Sequence, residues 1–127
     1  KEYFESNEGL GILSTANNQG EVNAAVYSRP HVMQDNTLAF IMNNRLSYKN
    51  LQENPKAHYL FKEQGEGYKG VRISLSMLRQ EKDSELLYEL CRRCHIKDNQ
   101  PEDPKFLVYF QIKNKLPLIG SEFDGQR

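Results

Sequence analysis

The feature that most constrains the fold of this 127-residue chain is a series of short apolar runs separated by turn residues. The runs at residues 10–15 and 37–42 are shorter than a typical helix, and residues 71–77 alternate apolar and polar side chains, which predicts strands. Further strands are predicted at residues 22–27, 57–62 and 106–112. Because no strand–helix–strand series repeats, we expect a largely antiparallel sheet closed into a small barrel.

Two segments change to a helical period. Residues 45–54 carry spaced apolar side chains before an Asn54-Pro55 stop, and Ser47 is the predicted N-cap. Residues 83–94 form one apolar stripe, which indicates a second helix. The elements therefore predict a mainly β fold of six antiparallel strands with two or more flanking helices, in a single domain over residues 1–127.

Charge and cysteine content argue against several classes of protein. Seventeen basic and seventeen acidic residues give a net charge of zero, so the basic surface of a general nucleic-acid binder is not expected. No apolar run approaches the roughly 18 residues of a membrane span, and no secretory signal is recognised. Two cysteines do not form a disulfide framework, so a cytoplasmic protein is expected.

The block from residue 39 to residue 61 contains a candidate phosphate site. A predicted strand is followed by a helix that starts near Arg45 and Ser47, where free backbone N–H groups and the positive end of the helix dipole attract an anion. Arg45 adds a guanidinium that can hold a phosphate through two hydrogen bonds, and Ser47 adds a hydroxyl. The same residues also suit a capped surface helix, and spacing alone favours that simpler interpretation.

An ordered set of segments over residues 9–112 carries a family resemblance. Its members are the Leu-Gly-Ile-Leu-Ser-Thr run at residues 10–15, Gly20, the strand at residues 23–30 with its Tyr-Ser-Arg-Pro-His ending, the apolar strand at residues 39–42, Arg45-Leu46-Ser47, and Asn50-Leu51-x-x-Asn54-Pro55 with the strand at residues 57–61. In this order and spacing the chain resembles the pyridoxamine 5′-phosphate oxidase-like superfamily, the FMN-binding split barrels.

The resemblance implies a split-barrel homodimer with FMN in a groove at the subunit interface. The implied cofactor-binding residues are Tyr27, Ser28, Arg29, Arg45, Ser47, Lys49 and Asn50. The first three would lie beside the flavin ring, and the others would surround the phosphate. Many family members have a lysine where this chain has Ser47, so either Arg45 or the nearby Lys49 could supply the missing charge. A modest hydrophobic content of 38% is consistent with two subunits that share a core.

The function expected from the resemblance is a flavin-dependent oxidoreductase that acts on a small molecule. The alternative is a non-catalytic flavin- or haem-binding module of the same fold. No catalytic residue is identified and no metal site is predicted. The C-terminal residues 113–127 do not match the substrate elements of pyridoxamine phosphate oxidase itself, so vitamin B6 oxidation is not assigned.

Some residues allow further interpretations. Cys91-x-x-Cys94-His95 matches the haem c attachment pattern, a remote alternative, although both cysteines also fall on the apolar stripe of the predicted helix. His31 could contact a substrate near the flavin or lie at the surface, whereas His58 is expected to be structural. Tyr68 and Arg72 could line the mouth of the site or belong to a loop and a strand face.

Overall fold

In the computed structural model, residues 2–43, 45–82, 84–90 and 105–120 are described, and they form seven strands and three short helices. The strands are β1 (Gly9–Ala16), β2 (Val22–Val26), β3 (His31–Val32), β4 (Thr37–Asn43), β5 (Lys56–Glu63), β6 (Gly70–Lys82) and β7 (Lys105–Pro117). The helices are α1 (Glu2–Ser6), α2 (Leu46–Glu53) and α3 (Glu85–Leu90). Among the described residues, no helix combines the length and apolar character needed to cross a membrane.

All strands belong to one antiparallel sheet in the order β2-β1-β5-β6-β7-β4-β3. The sheet curls, because residues from distant strands meet inside it. The Tyr59 hydroxyl on β5 donates to the carbonyl oxygens of Tyr27 and Ser28, at 3.2 Å each. The Tyr27 ring also meets the Phe40 ring of β4 edge-on, with 6.2 Å between centroids. Four strands separate β2 from β4 in the sheet order, so these contacts require a barrel.

The core of the barrel is rich in aromatic rings. Phe40 lies 5.0 Å from Tyr59 and 5.7 Å from Phe110 between ring centroids, and all three are buried. A second buried cluster, Ala39, Leu87, Leu107 and Tyr109, lies on the other face of β4 and β7 beneath α3. Both faces of β4 are therefore covered, as its uninterrupted apolar run predicts.

The close approach of β1 to β5 and β2 depends on a glycine. A Cβ added at Gly11 would lie 1.8 Å from the Tyr59 hydroxyl oxygen and 2.7 Å from the Tyr27 carbonyl oxygen. Any side chain at this position would displace the hydroxyl that ties the end of β2 to β5. The glycine thus helps to set the position of Tyr27.

The mainly β antiparallel fold predicted from the sequence is confirmed, with some differences in its elements. The structure adds α1 and the two-residue strand β3 next to Pro30, and it extends β6 and β7 to 13 residues each. The predicted helix at residues 83–94 is described over Glu85–Leu90, where the Ser84 hydroxyl accepts a hydrogen bond from the Leu87 N–H at 3.1 Å. The remainder of that prediction lies outside the described residues.

Candidate functional site

A pocket of about 300 Å³ opens where the two ends of the curled sheet meet the start of α2. We call it the seam pocket. Its described lining residues are Asn23, Ala25, Val26 and Tyr27 from β2 and its end, Ile41 and Asn43 from β4, and Arg45, Leu46 and Ser47 from the start of α2. Three of the residues implied by the family resemblance, Tyr27, Arg45 and Ser47, thus lie around one cavity.

The first turn of α2 differs from the sequence-based prediction. Arg45, not Ser47, occupies the N-cap position, and it makes no side-chain capping hydrogen bond within the described residues. Ser47 is a helical residue that shares a buried face with Asn50 and Leu51, and it is only 3% exposed. The prediction that Ser47 caps the helix was wrong, because the helix begins two residues earlier and turns this hydroxyl inward.

The Ser47 hydroxyl links two side chains of the seam pocket. Asn23 on β2 donates through its Nδ2 to the Ser47 Oγ at 3.4 Å. Burial raises the pKa of the Tyr27 phenol above its ordinary value, and a hydrogen bond with Ser47 partly opposes that rise. Tyr27 therefore stays protonated at neutral pH and presents a neutral hydroxyl beside Ser47.

Arg45 supplies the positive charge of the seam pocket. It is exposed, and its carbonyl accepts the backbone N–H of Lys49 at 3.0 Å, which starts the helix. Among the described lining residues it is the only ionised side chain, and no carboxylate accompanies it. The free N–H groups of the first turn of α2 add further donors. The described lining thus combines one cation with amide and hydroxyl groups and contains no carboxylate. Such a pocket suits an anionic ligand.

The other implied residues direct their side chains elsewhere. The Arg29 Nη1 donates to the carbonyl oxygens of Phe4 and Asn7, at 2.8 and 2.9 Å, and so holds α1 against the sheet. Asn50 is 5% exposed, and its Nδ2 donates to the Thr15 Oγ1 of β1 at 3.0 Å.

Four of the seven implied residues are absent from the described lining. They are Ser28 and Lys49, which are exposed, together with Asn50 and Arg29. The absence of Asn50 follows from its bond to β1. Arg29 is likewise absent, because its guanidinium is engaged by α1.

Comparison with solved structures identifies the fold. The chain superposes on an FMN-binding protein from Syntrophomonas wolfei with a TM-score of 0.68 and 22% identity, over 91% of this chain and 80% of the other. A candidate pyridoxamine 5′-phosphate oxidase from Lactobacillus delbrueckii gives 0.67 and 15%, over 91% and 88%. HutZ, a haem storage protein from Vibrio cholerae, gives 0.64 and 16%, over 91% and 90%.

The chain therefore shares the split-barrel fold of these proteins. Identities of 22% and below show the fold alone, and one of these proteins binds FMN whereas another stores haem. No protein-family model matches the sequence, and no curated protein matches it significantly.

Two polar lining residues of the seam pocket were not anticipated from the sequence. Asn23 lies in β2, where its side chain faces α2, and Asn43 ends β4, where its Oδ1 accepts a hydrogen bond from the Lys105 Nζ at 3.0 Å. Both are polar residues within otherwise apolar strand patterns, which is the signal that could have found them. Their amides add neutral donors beside Arg45.

The remaining candidate residues lie away from the seam pocket. Arg72 donates to the carbonyl oxygens of Pro117 and Gly120 and so holds the end of β7. His58 faces the outside of β5, His31 is half-buried on β3 and Tyr68 is exposed in a loop. None of the four is among the described lining residues. The Cys91, Cys94 and His95 motif lies outside the described residues.

Proposed function

We propose that this split barrel binds FMN in the seam pocket as a homodimer and acts as a flavin-dependent oxidoreductase on a small molecule. The observation that carries the proposal is the convergence of Arg45, Ser47 and Tyr27 around a cavity whose described lining contains no acid. Such a set of donors suits a phosphate. The structural likeness to an FMN-binding protein supports the same cofactor.

Each residue of the pocket has a role in this proposal. The Arg45 guanidinium and the N–H groups of the first turn of α2 bind the phosphate. Asn23 and Ser47 hold the neutral Tyr27 hydroxyl in place, and that hydroxyl donates to an oxygen of the cofactor. Bound FMN supplies hydride or electron transfer, whereas the protein supplies binding and orientation.

The homodimer is supported by apolar residues beside the pocket. Val26 is 70% exposed and Leu46 is 54% exposed, although both line the cavity. Val26 pairs with Ile12, which pairs with Leu60, so these three form an apolar row across the outer face of the sheet. The volume of the seam pocket is at the lower end of the range for ligand pockets. A second subunit that covers this row would add residues to the lining of the pocket and enclose it further.

The test compares FMN with riboflavin, which lacks the phosphate. Arg45→Ala should weaken FMN binding by at least about tenfold, because a charge-assisted bidentate contact is lost, and should leave riboflavin binding unchanged. Fluorescence titration of both ligands measures this. Lys49→Ala tests the other nearby cation, and the exposed loop variant Lys69→Ala is the matched control. Equal loss for both flavins, or no loss for either, would remove Arg45 from the phosphate site.

A non-catalytic carrier is the second candidate function, and the likeness to a haem storage protein favours it. Two measurements separate the candidates. Oxidation of NADH or NADPH by the FMN-loaded protein supports the oxidoreductase, whereas tight haem binding that FMN does not displace supports the carrier. Wild-type protein that binds no added FMN contradicts the flavin proposal outright.

A further inference from the structure

A second and larger pocket, of about 580 Å³, lies at the opposite end of β4 from the seam pocket. We call it the bulge pocket. Its described lining residues are Val32, Met33, Gln34, Thr37, Leu78, Arg79, Leu86 and Tyr109. Thr37 begins β4 and Asn43 ends it, so the two pockets are about 20 Å apart along the strand.

A β-bulge sets the position of the cation in this pocket. The pairing of β6 with β7 shifts between Met77 and Arg79, so Leu78 is an extra residue on β6. Bulges of this kind redirect the side chains that follow them. Here Leu78 is exposed and lines the cavity. The next residue, Arg79, places its guanidinium over the ring of Tyr109.

Arg79 is held in place on two sides. Its guanidinium carbon lies 3.8 Å from the centroid of the Tyr109 ring, and its Nη1 donates to the carboxylate of Glu81. The hydrogen bond from Arg79 is the main cause that lowers the pKa of Glu81, and Ser84 and Tyr109 also hydrogen-bond to that carboxylate. The Arg79 side chain nevertheless remains 58% exposed. A planar cation is thus fixed in orientation while much of it stays accessible, which lowers the ordering cost of binding an anion.

The rest of the lining is apolar or uncharged. Leu78 and Leu86 are large exposed apolar side chains that line the cavity, and Met33 joins them from the turn after β3. Arg79 is the only ionised residue among those described as lining it. One fixed cation beside apolar walls suits a ligand with one negative charge and an apolar body.

We propose that the bulge pocket binds a small aromatic carboxylate, with the carboxylate on Arg79 and the ring against Leu78, Leu86 and Met33. This site is independent of the proposed FMN site, since the two cavities share no described lining residue.

The experiment uses the methionines as reporters. The chain has three, of which Met33 lines the bulge pocket, Met42 is fully buried in the barrel and Met77 packs against the core. Protein labelled with ¹³C-methyl methionine is titrated with 2-naphthoate, and Met33→Leu assigns the reporting signal. We expect a saturable shift of the Met33 methyl and little change at Met42.

Two variants test the role of the cation. Arg79→Gln should weaken 2-naphthoate binding by at least about tenfold, whereas Glu81→Gln should strengthen it, because the amide oxygen can still accept the guanidinium N–H but no longer neutralises its charge. The neutral amide of the probe should bind at least about tenfold more weakly than the acid. FMN affinity should be unchanged in both variants.

Either of two results would overturn the proposal. One is a Met33 signal that does not shift at millimolar 2-naphthoate. The other is binding that is equal for the acid and its amide and insensitive to Glu81→Gln, since this indicates adsorption to an apolar surface. The amide and Glu81→Gln comparisons decide the question even if Arg79→Gln fails to fold.

Discussion

The pKa of His58 is changed by its surroundings on the outer face of the sheet. Its Nδ1 lies 3.5 Å from the Ser74 hydroxyl of β6. Partial burial lowers the pKa of His58 from its ordinary value of 6.5, and the positive charge of Arg72 lowers it further. Because both causes disfavour the imidazolium, this residue is neutral in the folded protein at neutral pH.

The pH dependence of stability follows from this lowered pKa. The unfolded chain binds a proton at His58 more readily than the folded chain, so the free energy of unfolding should fall as the pH drops below about 6.5. The loss is complete once the pH is below the folded pKa. Urea unfolding of wild type and His58→Gln at pH 7.5 and pH 5.5 measures the effect.

We expect wild type to lose more stability than His58→Gln over this interval. The imidazole signal that disappears in the variant should titrate below pH 6.5 in the wild-type spectrum. Identical pH dependence in the two proteins would show that this imidazole is not desolvated.

Helix α2 combines two roles on two faces. Ser47, Asn50 and Leu51 recur at helical spacing and pack against the barrel, and the Asn50–Thr15 hydrogen bond joins the helix to β1. The first turn of the same helix lines the seam pocket. Anchoring by Asn50 and Leu51 therefore determines where Arg45 and Ser47 sit.

Loss of the Asn50–Thr15 hydrogen bond should affect stability more than ligand affinity, because the buried Leu51 still holds α2 against the barrel. Asn50→Ala should lower the free energy of unfolding by about 1–3 kcal/mol, because it leaves the buried Thr15 hydroxyl without this partner. The exposed neighbour Lys49→Ala is the matched control and should change stability by less than about 0.5 kcal/mol. Urea unfolding and FMN titration are the measurements. A large loss of FMN affinity without a loss of stability would instead favour the role that the family resemblance implies for Asn50.

The elements of this fold are largely predictable from the sequence, whereas the orientation of α2 is not. Alternation at Val71, Ile73 and Leu75 predicts β6, since it reflects a strand with one buried face. In α2 the pattern is inverted, because the apolar Leu46 is exposed and the polar Ser47 is buried. A hydrophobic pattern cannot predict that inversion, which depends on partners in β1 and β2. The hydrogen bonds from Arg29 to α1 cannot be predicted from the sequence either. They join a side chain to main-chain carbonyl groups that are distant in the sequence.

For the whole molecule, the proposed homodimer connects assembly with cofactor binding. The apolar row of Val26, Ile12 and Leu60 runs from the rim of the seam pocket across the outer sheet face. A partner bound there would contact the cavity directly. Assembly and FMN affinity should therefore change together.

One substitution tests that coupling. Val26→Asp places a charge that water solvates in the monomer but that a dimer interface would bury, so it should shift the protein to monomer and weaken FMN binding by at least about tenfold. Light scattering and FMN titration measure the two effects. Leu78→Asp, at another exposed apolar residue, is the matched control and should leave both unchanged. A dimer that tolerates Val26→Asp, or a wild-type monomer at micromolar concentration, would contradict the proposed interface.

The place of β7 in the sheet has a consequence for synthesis on the ribosome. This strand is the last of those described, yet it lies between β6 and β4, and its Gln111 pairs with Thr37. The nascent chain therefore emerges with β4 paired at most to the two-residue β3. Its long partner β7 and the α3 residues that cover its outer face are translated much later. Premature termination before residue 105 would yield a product with that strand uncovered, a substrate for chaperones and proteases.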